Sequence, residues 1–457
     1  MLTSKPLTFL WTVVVLNCWM FAQDPQQSDM DHPNDDHDVQ MMFPAPLMGA
    51  SPLLAFQPEL ERSNFLKGGL VVGSTFDDNV LNSGSDRVGD FAYSLSPYIA
   101  LSQSRSRINW TLNYMAGLTT NQRYSALNKD SHELHLEGVY RLAPHANFRL
   151  FDSFLITTGF FDQANQPVDL STPGILDRPN QSIVTPLSRQ TANTSAAELD
   201  YQFSASSMVG VGGTFYLCHF QDTPGGYRLI DTESGGGQAF YNYQLSPRNM
   251  MGLTYRFHKF SFSPIPDKAF VHSVLLVYSL QVKPTLHLSF FAGPEYSNGH
   301  SAMVSNPVAG TIPPDGNVSQ RAWSGSGGAA FNWNGQRNSV TAEFIREVTD
   351  GGGLSGVVRA NIADGGVRRQ LTHSWGASLG MAYATNDSFI ASATSESRLK
   401  TLSASFALER SLGEHLSLRL GYTRNCQQRF VAPLLANINH NRAWLSIAYS
   451  LARPLGR

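Results

Sequence analysis

Ile108-Asn109-Trp110-Thr111-Leu112-Asn113-Tyr114-Met115-Ala116-Gly117-Leu118 is the stretch on which the fold turns. Ile108, Trp110, Leu112, Tyr114, Ala116 and Leu118 fall on one side of an extended chain, and Asn109, Thr111, Asn113, Met115 and Gly117 on the other. Period-two alternation is a strand with one dry face. The pattern recurs toward the C-terminus. Trp375, Ala377, Leu379, Met381 and Tyr383 oppose Gly376, Ser378, Gly380, Ala382 and Ala384; Leu402, Ala404, Phe406 and Leu408 oppose Thr401, Ser403, Ser405 and Glu409. Leu416, Leu418, Leu420 and Tyr422 oppose Ser417, Arg419, Gly421 and Thr423, and Leu445, Ile447, Tyr449 and Leu451 oppose Ser446, Ala448 and Ser450. Such segments match the length a tilted strand needs to cross a bilayer, roughly ten residues.

The connections alternate in length. Short turns fall near Gln103-Ser104-Arg105, Pro144-His145-Ala146, Ser246-Pro247-Arg248-Asn249, Lys283-Pro284, Asn334-Gly335-Gln336, Thr372-His373 and Gly413-Glu414. Long ones fall near 77–89, 119–131, 161–192, 221–236, 297–319, 348–356, 386–399 and 425–441. Tight turns at one end and large loops at the other are the asymmetry of outer-membrane barrels, whereas a soluble β-sandwich carries comparable loops at both ends. The map from residue 65 onward predicts an all-β, transmembrane, antiparallel up-and-down barrel of 18 strands. An even count returns the chain to the side where it began. Two segments fit poorly: Asp152 is in phase with Leu150 and Phe154, and Val274-Leu275-Leu276-Val277 is apolar on both faces.

Composition agrees. Charged residues are 15% of the chain, below the roughly 25% of soluble domains, as expected where one whole face meets lipid. A formal net charge of −2 supplies no basic field, which argues against a nucleic-acid partner. No apolar run reaches the 18 or so residues of a spanning helix. Residues 1–22 have a Sec-type pattern: Lys5, an apolar core from Leu7 to Leu16, and Trp19-Met20-Phe21-Ala22 before Gln23. Cys18 loosely fits a lipobox, but Asn17 stands where a small residue is wanted. Residues 23–64 read as a disordered, acidic, Pro-rich extension, from Asp24-Pro25 through Asp35-Asp36-His37-Asp38. Cys218 and Cys426 fall on the seventh and seventeenth strands, nearly opposite around such a barrel, so a bridge between them is not expected.

Trp444-Leu445-Ser446-Ile447-Ala448-Tyr449-Ser450-Leu451 resembles the closing-strand signal read by the barrel assembly machinery of Gram-negative bacteria. It departs at Trp444, where a polar residue is usual, and in the six residues that follow Leu451. With Gly351-Gly352-Gly353-Leu354-Ser355-Gly356 and Arg369-Gln370-Leu371-Thr372-His373-Ser374-Trp375, the chain resembles a poorly characterised group of porin-like outer-membrane barrels of acidobacteria-type genomes. That resemblance implies an outer-membrane channel for small solutes, in contact with lipid. Similarity to general porins further implies that the third outer loop, about 161–192 and the longest, folds into the lumen, with Asp162, Asp169, Asp177, Arg178 and Arg189 at a constriction; a loop that simply caps the outside is the alternative. On the strands, Glu137, Arg141, Arg149, Arg256, His258, Glu343, Glu409 and Arg419 are in the lumenal phase.

Two other functions remain open. A conduit for exported polysaccharide would use lumenal aromatics, of which Tyr98, Tyr216 and Trp444 are candidates, though scattered. An outer-membrane hydrolase would need a nucleophile, and the nearest motif, Gly299-His300-Ser301-Ala302-Met303, lacks the second glycine of a nucleophile elbow. Neither His-Glu-x-x-His, Cys-x-x-Cys nor a Gly-Lys-Ser/Thr loop occurs, so no catalytic residue, metal ligand or cofactor is expected.

Overall fold

The computed structural model describes residues 64–84, 87–158, 180, 182–185, 187–221, 229–264, 267–302, 317–388, 398–429 and 437–455. The leader, almost all of the acidic extension, and Asp162, Asp169, Asp177 and Arg178 lie outside the described residues. Eighteen strands form one sheet: β1 (Phe65–Asp77), β2 (Asp90–Ser104), β3 (Ile108–Asn121), β4 (Lys129–Ala143), β5 (Ala146–Thr157), β6 (Gln190–Ser204), β7 (Ser207–Phe220), β8 (Asp231–Ser246) and β9 (Asn249–Ser263). They continue with β10 (Lys268–Lys283), β11 (Leu286–Ala302), β12 (Asn317–Asn334), β13 (Asn338–Gly351), β14 (Ser355–Gln370), β15 (Trp375–Ser388), β16 (Arg398–Ser411), β17 (Leu416–Arg429) and β18 (Ile438–Pro454). Each strand pairs antiparallel with its sequence neighbours, and β1 pairs with both β2 and β18, so the sheet closes on itself without an edge.

The alternation seen in the sequence becomes inside and outside. Val72, Ile99, Leu118, Leu253, Leu276, Leu379, Leu420 and Ile447 stand exposed on the outer surface, while their strand neighbours face in. Outward aromatics gather toward the two ends: Tyr140, Tyr201, Tyr243, Trp375 and Tyr449 toward the short turns, and Tyr93, Tyr114, Tyr255, Trp323 and Tyr383 toward the long loops. Two aromatic belts around an apolar band match the interfaces and hydrocarbon of a bilayer. Among the described residues no helix is long and apolar enough to cross a membrane, and the strands are the crossing elements. Asp77, at the long-loop end of the closing seam, pairs with His440 and lies 3.6 Å from Arg442, while both Asp78 oxygens take Asn441 donors at 2.7 and 2.6 Å. Those bonds, with the Arg442 guanidinium alongside, make this carboxylate–histidine group a clasp for β1 and β18.

Both irregular sequence segments have structural causes. The inward Leu275 and Val277 are covered by Phe291, Met250 and Ile345, which explains a strand apolar on both sides. The cover continues toward the long-loop end. There the ladder between β12 and β13 stops at Gly327–Arg346 although β12 runs on to Asn317. β13 leaves the wall and turns inward with β14, so that Val348 and Val357 pack on Phe260, Phe262, Ala269 and Val271. Side chains replace part of the lost ladder: Ser326 donates to the Arg346 carbonyl at 3.1 Å, and Glu295 accepts from Ser324 at 2.9 Å and from the Val348 N–H. The connection expected as a loop over 348–356 is therefore a tight hairpin tip. Asp152 does face outward, where a carboxylate in lipid at mid-wall is destabilising, though by less than the about 2–4 kcal/mol of a lysine or arginine. Another long-loop-end connection, between Ser263 and Lys268, is also short. Cys218 and Cys426 are both free.

Candidate functional site

The interior is polar and charged. Registers place Glu137, Arg141, Arg149, Arg256, His258, Glu343, Glu409 and Arg419 at inward positions. They gather with charges that were not singled out from the sequence. On the β5–β6 wall, Arg149 meets Glu198 at 3.3 Å and Asp200 at 3.0 Å, with Asn147 donating to Asp200 and Gln238 to Glu198. On the far side, Glu409 lies between Arg419 at 3.1 Å and Arg368 at 3.8 Å. Glu198 and Asp200 were legible as alternate positions of a strand whose inward face also carries Gln190, Ala192, Thr194, Ala196 and Gln202. Glu343 stands directly opposite Asp364 in the register, and Arg256 lies against the ring of Phe291.

Two structural elements narrow the mouth. The first is the end of the longest loop. Asn180 donates to Asp350 from its backbone at 3.1 Å and to Asn386 on β15 from its amide at 2.7 Å. Val184 exchanges bonds with the inward Gln427 of β17 at 2.7 and 2.9 Å and packs on Ile438. Thr185 accepts from Asn82 of the first loop. The chain then enters β6 at Gln190. β15 and β6 are nine strands apart by either route around an 18-strand wall, so Asn180, bonded to β15, and Gln190, the first residue of β6, belong to opposite sides of the wall. The second element is the β13–β14 tip. Asp350 caps it by accepting from the Gly352 N–H at 2.7 Å, and Gly352 and Gly353 adopt φ of +58° and +86°. A Cβ on Gly353 would come within 2.7 Å of the Phe220 ring, and the Gly353 carbonyl accepts from Ile230. Gly352 and Gly353 seat the tip against Phe220 at the end of β7. Two small cavities flank the tip, sharing Tyr216 and Asp350; one reaches Arg256, His258 and Glu295, the other Asn180, Cys218 and Phe220.

A closed cylinder, dry outside between aromatic belts and polar and charged inside, decides the class. The chain is a closed 18-stranded β-barrel of the outer-membrane kind. Its short turns and long loops lie at opposite ends of the wall, as periplasmic turns and extracellular loops do in barrels of that kind. No family model matches the chain, nor does any curated protein. Among solved structures it is similar to OpdQ of Pseudomonas aeruginosa (TM-score 0.43, 11% identity, 85% of this chain and 99% of that one). It is likewise similar to OccK2 (OpdF) of Pseudomonas aeruginosa in complex with glucuronate (0.43, 11%, 85% and 98%) and to OccAB4 of Acinetobacter baumannii (0.41, 11%, 87% and 100%).

Arg189 corrects one expectation. Its guanidinium holds both oxygens of Asp130 at 2.6 and 2.8 Å, and Asp130 stands opposite the exposed Leu118, on the outside of the barrel. The residue just before β6 keeps that strand's outward phase, so it braces the outer surface and does not enter the constriction. The Asp130 carboxylate holds Arg189 above its ordinary guanidinium value. Ser301 also differs from its expected loop placement: its backbone belongs to β11.

Lumenal aromatics lie flat on wall glycines. A Cβ on Gly421 would meet Trp444 Cζ2 at 2.2 Å, and one on Gly69 would meet Tyr98 Cε1 at 2.5 Å. Gly421→Val is therefore expected to stand Trp444 away from the wall and reduce single-channel conductance. Unaltered conductance in the folded variant would show that Trp444 lies clear of the conducting path.

Proposed function

We propose that this barrel passively conducts small hydrophilic solutes across the outer membrane, past a mouth narrowed by residues 180–190 and the β13–β14 tip. The carrying observation is the segment that spans the mouth from β15 to β6, bonded at each stage to inward side chains. Such a strap restricts passage while the charged walls below it keep water in the lumen and discriminate permeants by charge. Asp162, Asp169, Asp177 and Arg178, on the same loop ahead of Asn180, are the proposed remaining groups of the constriction. Delivery to the membrane by the barrel assembly machinery fits the Trp444–Leu451 signal.

Protein refolded in detergent and reconstituted in planar bilayers is expected to give discrete conductance steps. Silent bilayers with folded protein would remove the channel reading. Charge reversal of Asp169 and Asp177 to Lys is expected to move ion selectivity toward anions, and unchanged reversal potentials would take both residues out of the constriction. One observation favours a second reading, passage of a polysaccharide: Trp444 and Tyr98 lie flat on the wall, as stacking on sugar CH groups requires.

A further inference from the structure

Between the aromatic belts the outward positions of β7, β9, β10, β15, β17 and β18 carry Val211, Leu253, Leu276, Leu379, Leu420 and Ile447. On β5 and β6 the same band carries Asp152, Asn193 and Ser195. Ser195 donates to Asp152 at 2.6 Å, and the Asn193 amide lies 3.3 and 3.4 Å from the two carboxylate oxygens. Their depth is fixed by register. Asp152 stands opposite Leu136, midway along β4 between His132 and Tyr140, which sit at the two belts. Above the trio, the outward surface continues as a polar column in which Arg189 binds Asp130, Asp130 lies 3.5 Å from His132, and His132 bonds Tyr114 at 2.9 Å. A polar stripe thus runs from the outer rim to mid-membrane on one side of the barrel.

We propose that the β4–β6 face is a contact between two copies of this chain. Acyl chains offer nothing to a carboxylate, an amide and a hydroxyl, and ionisable groups at that depth face protein or water in membrane proteins. An isologous contact needs groups that complement themselves across a two-fold axis. Asp152 accepts and Asn193 and Ser195 both donate and accept, so an amide N–H of one copy can reach the carboxylate of the other. Gly138 and Ala197, outward neighbours of this cluster, are small enough to let two walls approach. Arg189 balances Asp130 on this face, which leaves Asp152, bonded only to neutral groups, as its one further carboxylate, and a single such group does not select a strongly basic or acidic partner.

The test uses the full chain in native outer membranes with Cys218 and Cys426 replaced by Ser. Ala197→Cys, which leaves the polar trio intact, should give an oxidised species of twice the apparent mass. Leu379→Cys on the opposite wall should stay single. In parallel, light scattering of the detergent-extracted protein should report two or more copies, falling to one in the Asp152→Leu/Asn193→Leu/Ser195→Leu variant. Heat-modifiable migration on gels reports whether each variant is folded. A folded Ala197→Cys protein that remains monomeric or links to a different protein overturns the proposal, as does a wild-type mass of one copy.

Discussion

Asp350→Ala should open the barrel: single-channel conductance is expected to rise and to fluctuate between levels, where the wild type gives one narrower level. The Asp350 carboxylate accepts from the Asn180 N–H at 3.1 Å and from the Gly352 N–H at 2.7 Å, and so joins the two elements that cross the mouth. A hydrogen bond to a charged group contributes about 1.5–3 kcal/mol. Losing two shifts the seated tip toward released states by on the order of tenfold for every 1.4 kcal/mol. The wall itself is untouched, because β14 remains paired with β15 up to Val358 opposite Ser388. Asp350→Asn keeps one acceptor oxygen and should fall between the two. Recordings of Asp350→Ala indistinguishable from wild type would mean that the tip is held by the packing of Val348 and Val357 and by the backbone carbonyls of Asp350 and Gly353.

The wall was legible from the sequence and the mouth was not, for different physical reasons. Alternation is a local property: Leu379 faces lipid because Ser378 and Gly380 do not, and each hairpin repeats that test independently. The mouth depends on contacts distant in sequence, such as Asn180 with Asn386 or Val184 with Gln427, which leave no periodic trace. Two departures from alternation nevertheless marked places where the wall meets something else. Val274-Leu275-Leu276-Val277 is apolar on both faces because the inner face is covered by neighbouring side chains, and Asp152 breaks the outer face beside Asn193 and Ser195. Arg189 was misplaced because residues outside a strand carry no reliable phase until their partner is known; Asp130 supplies it.

Asp200 and Glu409 should respond in opposite ways to removal, although both are inward carboxylates paired with arginine. Asp200 has only 1% of its side chain exposed, and Glu409 has 32%. Asp200→Ala leaves Arg149 with Glu198 alone and strips the Asn147 amide of its acceptor in a dry site, where breaking such a pair costs about 3–5 kcal/mol. Glu409→Ala removes a solvated pair, for which about 0–1 kcal/mol is typical. Urea titration of the refolded barrel, followed by heat-modifiable migration, should therefore show a clear fall in midpoint for Asp200→Ala and little change for Glu409→Ala. Ion selectivity should show the reverse ranking, because a charge shielded from water is also shielded from the permeating ion, whereas Glu409, Arg368 and Arg419 stand in the wet part of the lumen. The conducting column would then run along β14–β17, beneath the strap formed by Asn180–Gln190, with β5–β6 as a dry buttress. Equal effects on selectivity from both variants would place the water column at the centre and remove this division of the wall.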